Sequence, residues 1–330
     1  MSKIDILGLA PTTVSRDLKG RYVLLYGAPK VGKTTLSAQF PKALLCAFEH
    51  GYGLIGGAYA LDITSWGEFK QVVRQLKKPE AKERYNTIVI DTAQIAYDLA
   101  ERYVCANNGV TQVSEIPYGG GWGKVAKEYD NTLREITQLG YGLVLIAHAK
   151  TKEEEIRDGV TKTIISPDLN KRCYAIANNL VDIIGYIEQT FNEDGTSERW
   201  LYTRRTPTIM AGSRFRYLEP KIKLGYQELV DAIGDAIEKQ EKLDGVKVVD
   251  HTEKVERESL DYLEIRRQAA ELWTKLIEAN EDNYQLITAY IKTIMGRSMK
   301  LSEITPEQVE AFDLILQEMQ RMAEEQNIKV

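Results

Sequence analysis

Cysteine and histidine are scarce in this 330-residue chain, three of each, and Cys46, Cys105 and Cys173 stand far apart in apolar surroundings with no CxxC pair. That spacing excludes a disulfide framework, argues against structural zinc, and reads as three buried, reduced thiols. Long hydrophobic runs are missing too. No apolar stretch reaches the roughly 18 to 20 residues of a membrane span, and Met1-Ser-Lys-Ile-Asp-Ile has no apolar secretory segment. A cytoplasmic location without a membrane partner is expected. Internal repeats and low-complexity tracts are also lacking. With 43% hydrophobic residues and 43 Lys+Arg against 48 Asp+Glu, collagenous and wholly disordered chains are excluded and a sizeable core is expected.

The small net charge of −5 hides an uneven distribution. Residues 226–330 hold 23 Asp+Glu and 13 Lys+Arg, a net of −10, which leaves +5 for residues 1–225. A basic body thus carries an acidic tail. Charges crowd between Glu238 and Ser259 while apolar residues thin out, as in a linker. The expected domains are a core over 1–237, a charged linker over 238–258 and a helical module over 259–330.

Four short apolar runs recur in the body: Tyr22–Tyr26, Ala43–Phe48, Thr87–Ile90 and Leu143–Ala147. Too short for helices and nearly continuous in apolar character, they read as buried parallel strands. Helical stretches separate them at Thr34–Phe40, Trp66–Leu76, Ala93–Val104 and Gly123–Leu139. This alternation predicts an α/β fold, a doubly wound and mostly parallel sheet.

Between the first run and its helix stands Gly27-Ala28-Pro29-Lys30-Val31-Gly32-Lys33-Thr34, followed by Thr35. It is a full match to G-x-x-x-x-G-K-[ST] in strand–loop–helix context. The glycines let backbone N–H groups face phosphates, Lys33 reaches the β/γ oxygens, and the Thr34 hydroxyl is placed to ligate Mg²⁺. ATP and Mg²⁺ are therefore the expected ligands. Asp91 closes the third run, where an acid beside the P-loop holds the metal through its water shell; an N-cap for the helix at Ala93 is a compatible second role. No Glu follows Asp91, so a base for water must come from elsewhere. Glu49 ends the second strand, read as one strand away from the P-loop strand, and His148 ends the fourth run. A surface glutamate and a hydrogen-bonded rim histidine are the plain alternatives.

Ala47-Phe48-Glu49-His50 followed by glycines resembles RecA-like ATPases, whose catalytic Glu occupies that place and whose Gln or His at the His148 position senses the γ-phosphate. With these elements in order, Arg21–Leu229 resembles the RecA-like ATPases of bacteriophages, the nucleotide-binding proteins linked to single-strand annealing and recombination. Thr203-Arg204-Arg205, Ala211-Gly-Ser-Arg214-Phe and Leu224-Gly-Tyr-Gln-Glu-Leu look like that group's closing motifs. The resemblance implies a hydrolase acting on ATP, a ring or filament of identical subunits, and a bacterial host cell if the chain is phage-encoded. It also implies a cation supplied to the neighbouring subunit's γ-phosphate. Arg204, Arg205, Arg214 and Arg216 are the candidates, with Arg214 and Arg216 expected on one face of a strand; exposed arginines pairing with the acidic tail are the alternative.

Two segments are candidates for single-stranded DNA. One is the Gly-rich stretch from Asn107 to Lys124, read as flexible, with Tyr118, Trp122 and Lys124. The other is an apparent hairpin at Arg157-Asp-Gly, with Lys150, Lys152, Lys162, Lys171 and Arg172. Cations would meet phosphates and aromatics would stack on bases; Glu153, Glu154 and Glu155 dilute the second patch, and a solvated hairpin is the alternative.

In the tail, Tyr262, Ile265, Ala269, Leu272, Trp273 and Leu276 make one apolar stripe, and Ile287, Tyr290, Ile291 and Ile294 a second that stops before Gly296. A third helix opens at Thr305-Pro-Glu-Gln308, a capping box, and carries Val309, Phe312, Leu316 and Met319. The acidity of this module suits a single-strand-binding protein or another replication protein more than DNA; a bundle that only stabilises or oligomerises is the alternative. The leading expectation is an Mg-ATP-dependent, DNA-stimulated ATPase of phage recombination or replication. Its rivals are a nucleotide-gated protein adaptor and a small-molecule P-loop kinase, for which no Arg-rich lid is found.

Overall fold

The strand β2 (Tyr22–Gly27) is buried on both faces, and this explains why its sequence does not alternate: Leu24 and Tyr26 enter one apolar core while Val23 and Leu25 enter another. The computed structural model describes residues 14–15, 18, 20–49, 53, 55–157, 160–245, 248–249 and 261–328. The chain divides into two compact units, one within residues 4–256 and one within residues 257–330.

The larger unit opens with β1 (Val14–Ser15), which pairs in parallel with β12 (Val248–Val249). After β2 come α1 (Lys33–Ala38), β3 (Ala43–Ala47), β4 (Tyr59–Asp62), α2 (Trp66–Gln75), α3 (Pro79–Arg84) and β5 (Thr87–Asp91). Then follow α4 (Ala93–Asn107), α5 (Gly121–Gln138), β6 (Gly142–Arg157), β7 (Val160–Pro167), α6 (Lys171–Leu180), β8 (Ile183–Phe191), β9 (Ser197–Tyr202), β10 (Gly212–Ser213), β11 (Lys221–Lys223) and α7 (Tyr226–Asp244). A ten-stranded sheet has the order β11-β9-β8-β2-β6-β5-β3-β4, with β10 on β8 and β7 on β6. The six strands from β8 to β4 run parallel, and β7, β9, β10 and β11 pair antiparallel. Helices α2, α4, α5 and α6 bury their apolar stripes on one face and α1 and α7 on the other, the doubly wound arrangement expected from the sequence.

Three expectations change. The order places two strands, β6 and β5, between β2 and β3, so Glu49 is not one strand from the P-loop strand; it reaches the same edge across them. The fourth strand does not end at His148 but continues to Arg157, because β7 supplies a ladder for its charged half; the hairpin's Asp158 and Gly159 lie outside the described residues. The charged stretch begins as helix: α7 runs to Asp244, held by Leu229, Ile233 and Ile237 in the core, and Gly245 ends it at φ 68°. Of the rest of that stretch, residues 246–247 and 250–258 lie outside the described residues.

Cys46, Cys105 and Cys173 are buried and free, and burial pushes the Cys46 and Cys173 thiols up to about 12. Among the described residues no helix is long and apolar enough to cross a membrane, and no cluster of His, Cys, Asp or Glu could hold a metal.

The second unit contains α8 (Tyr262–Ala279), α9 (Asn283–Met295) and α10 (Val309–Glu325). Ile265, Leu272, Leu276, Ile287, Ile291, Phe312, Leu316 and Met319 form its core. Gly296 ends α9 at φ 69°, and the Thr305 amide donates to Gln308 Oε1 at 3.0 Å, one arm of the capping box before α10.

Candidate functional site

The P-loop leaves β2 between its parallel neighbours β8 and β6, where Gly27 stands opposite His148 of β6 and Ile187 of β8. Gly27 has no room for a side chain: a Cβ there would lie 2.5 Å from the Ile187 carbonyl oxygen. Lys30 at φ 64° and Gly32 at φ 106° fold the loop into left-handed conformations, the backbone pattern that turns successive N–H groups toward one anion. Lys33 is buried at the start of α1. Its Nζ donates to the carbonyls of Gly27 at 3.1 Å and Ala28 at 2.7 Å, arching over the loop it belongs to. Burial pulls the Lys33 ammonium below its usual value, while the charges of Asp91 and Glu49 act the other way. Ala28, Pro29 and Thr35 are exposed, and Val31 packs into the core under the loop.

Asp91 lies at the end of β5 and Thr34 in the first turn of α1, yet Thr34 Oγ1 donates to Asp91 Oδ2 at 2.7 Å. Burial raises the Asp91 carboxyl above the usual aspartate range; the Thr34 hydrogen bond opposes this and the Glu49 charge adds to it. A hydroxyl and a carboxylate are hard oxygen donors of the kind Mg²⁺ prefers, so this pair fits the ion. The Asp91 carbonyl oxygen also accepts from the amides of Phe48 at 2.7 Å and Glu49 at 3.1 Å. These two bonds draw the end of β3 toward β5 and fix where Glu49 emerges. His148 Nε2 then lies 3.3 Å from Glu49 Oε2. Lys33, Thr34, Asp91, Glu49 and His148 therefore gather at one edge of the sheet, although 115 positions separate Lys33 from His148.

Residues 19–215 match the family model described as an AAA domain. The chain belongs to that AAA domain family. Its P-loop sits in a P-loop ATPase domain, and family membership implies a nucleotide and, as a rule, Mg²⁺ at this edge. The AAA domain protein is 29% identical over 333 residues to the SPbeta prophage-derived uncharacterized protein YorG of Bacillus subtilis strain 168, spanning 98% of this chain and 99% of that one. A solved KaiC-like protein of the archaeon Pyrococcus horikoshii OT3 matches 57% of this chain and 80% of its own, with 14% identity and a TM-score of 0.33.

The arginine candidates are placed differently from the expectation. Arg214 and Arg216 do not share a strand face, because β10 stops at Ser213 and a turn follows. That turn is held by Arg204, whose guanidinium donates to the carbonyls of Ser213, Phe215 and Arg216. Arg214 pairs with Asp182 at 3.3 Å and donates to the Asn179 carbonyl at 2.8 Å. Asp182 is bound to Tyr22 at the start of β2, so Arg214 lies at the end of the sheet opposite its own P-loop. Arg216 pairs with Asp244 at 3.2 Å.

The Gly-rich segment is also more ordered than its composition implies. Val113, in the first of two short 3-10 turns, and Ile116, between them, are buried, and Gly121 packs closely on Val113 where α5 starts, with Trp122 and Lys124 in its first turn. Tyr118 is fully exposed at φ 62°. Arg172 lies over the Trp122 ring at 5.2 Å, which joins the two segments. Lys124 donates to Asn108 Oδ1 at 2.7 Å and Lys150 pairs with Asp168 at 3.1 Å. Lys171 is exposed beside Arg172. On the hairpin Lys152 stands opposite Ile164 and Lys162 opposite Glu154.

One cation near the P-loop escaped the sequence reading. Arg199 of β9 approaches Gly32 so closely that a Cβ on Gly32 would lie 2.7 Å from its Nη1. No motif signals it, since only the β8–β9 pairing brings residue 199 to residue 32.

Proposed function

We propose that this AAA domain protein is an Mg-ATP-dependent ATPase that binds single-stranded DNA, assembles as a homo-oligomer and serves phage recombination or replication. The observation that carries the ATPase part is the gathering of Lys33, Thr34, Asp91, Glu49 and His148 at one sheet edge. In this reading the P-loop amides and Lys33 bind the phosphates. Thr34 and Asp91 hold Mg²⁺, which when bound neutralises charge developing on the phosphoryl oxygens. Glu49 takes a proton from the attacking water, and His148, hydrogen-bonded to it, orients the carboxylate and meets the γ-phosphate side. Arg214 and Arg216, exposed and distant from their own P-loop, are the arginines suited to a neighbouring subunit.

The DNA part rests on exposed Tyr118 and on Trp122 stacked with Arg172, which offer a base a π-face beside cations. The nucleotide-gated adaptor is favoured by Lys124 and Lys150 being engaged by the protein itself. Steady-state hydrolysis with and without an unlabelled oligonucleotide decides: stimulation supports the proposal, and hydrolysis indifferent to DNA, with no oligonucleotide binding by anisotropy, leaves the adaptor.

A further inference from the structure

Arg199 is exposed on the face of β9 whose next residue, Leu201, is buried in the core, with its backbone fixed by the ladder to Gln189 of β8 and by the Leu224 amide, which donates to the Arg199 carbonyl at 2.8 Å. The guanidinium rests against Gly32, and Leu224 Cδ2 would lie 3.5 Å from a Cβ placed on Gly32. Gly32 at φ 106° needs glycine for its backbone, and the exposed guanidinium lies where a side chain there would begin. Arg199 and Leu224 together wall a cavity of about 330 Å³ that also meets Ser197, Glu198 and Lys223.

Among the described residues the Arg199 side chain has no hydrogen-bond acceptor, no ion-pair partner and no aromatic ring beneath it. Arg134, Arg204, Arg214 and Arg216, by contrast, hold carboxylates or carbonyls. Lys30, in the P-loop, and Lys223, across the cavity, likewise lack an acceptor among the described residues. Arg199 and Lys223 share the cavity with a single acid, Glu198, which leaves an excess positive charge there that gains from a further anion, and a planar guanidinium fork matches phosphate oxygens in particular.

Resting on the reading that the P-loop binds a nucleotide, we propose that Arg199 is a phosphate ligand supplied in cis: its guanidinium takes an oxygen of the phosphate chain seated against Gly32. The triphosphate is the acceptor that Arg199 lacks, and the β8–β9 hairpin becomes part of the nucleotide site of its own subunit, in addition to any arginine contributed by a neighbour.

Titration calorimetry of the full chain with Mg-ATP and with Mg-tripolyphosphate tests this on wild type, R199A, R199K and K33A. The expected result is a loss of about tenfold or more in affinity for both ligands in R199A and a smaller loss in R199K, with the unfolding midpoint measured without nucleotide unchanged. R199A that binds both ligands like wild type overturns the proposal. A loss for ATP with tripolyphosphate unaffected also overturns it and assigns Arg199 to the nucleoside. If K33A loses ATP while R199A keeps it, only the Arg199 assignment fails. If wild type binds no ATP, the nucleotide reading fails as well.

Discussion

His148 Nε2 and Glu49 Oε2 are 3.3 Å apart although 99 positions separate the residues. The pair exists because the carbonyl of Asp91 captures the amides of Phe48 and Glu49 while β6 passes between β2 and β5. If Glu49 is the base, E49Q keeps size and hydrogen bonding and removes proton acceptance. ATP binding is then expected to persist while hydrolysis falls about a hundredfold or more. Unchanged turnover would move the base elsewhere. Because the two side chains touch, the losses in E49Q and H148A should fall short of additivity in the double variant.

Lys33 is buried with its charge resting on its own loop's carbonyls. In K33A those acceptors and the phosphates both lose their cation, so Mg-ATP affinity should weaken and turnover vanish. Calorimetry showing wild-type affinity would contradict the P-loop assignment.

The Asp91 carboxyl is held above the usual aspartate range, first by burial. The folded chain thus binds that proton more tightly than the unfolded chain. The resulting contribution to stability is complete below the unfolded value and lost as pH rises through the folded one. For binding the sense is opposite, since Mg²⁺ requires the ionised form. On lowering the pH, Mg²⁺-dependent ATP affinity should decline at a higher pH than an ordinary aspartate would set. In D91N, whose amide oxygen still accepts from Thr34, that step should be absent. An identical pH profile in D91N would exclude Asp91 as the titrating group.

Residues 261–328 have a core of their own, so this segment is expected to fold alone, with a helical circular dichroism spectrum. Within it Phe312→Ala should cost about 3–5 kcal/mol, since the ring is fully buried. ATP affinity of the full-length variant should not change. A random-coil spectrum would mean that these helices need the rest of the chain.

If bases stack on Trp122, W122A should weaken oligonucleotide binding by about 1–3 kcal/mol at every salt concentration. R172A should both weaken binding and reduce its salt slope. Anisotropy across a salt series separates the two, and equal behaviour of both variants and wild type would remove this surface from consideration.

The central strands and the P-loop were legible because physics writes them locally: a strand covered on both faces must be apolar throughout, and a phosphate loop must have its glycines. The three tail helices were legible for the same reason, from stripes such as Ile265, Ala269, Leu272 and Leu276. Strand order was not legible, since crossovers through helices leave no trace of which strand inserts beside which; hence the misplacement of Glu49. The second half of β6 was hidden because Lys150 to Glu155 is charged on both faces, its partner being a lone antiparallel strand. The turn at Arg214 was hidden because its organiser, Arg204, acts through carbonyls 9, 11 and 12 positions away.

The unbroken course of β6 has a mechanical meaning. His148 and Glu153 belong to one strand, about 16 Å of extended backbone at about 3.3 Å per residue, paired residue by residue with β7 from Ala149 to Glu155, before the register shifts at Arg157. A two-stranded ribbon bends as a unit and offers no hinge at its root. Whatever tilts His148 at the sheet edge must therefore swing the far end of the ribbon through a larger arc, as a short arm drives a long pointer.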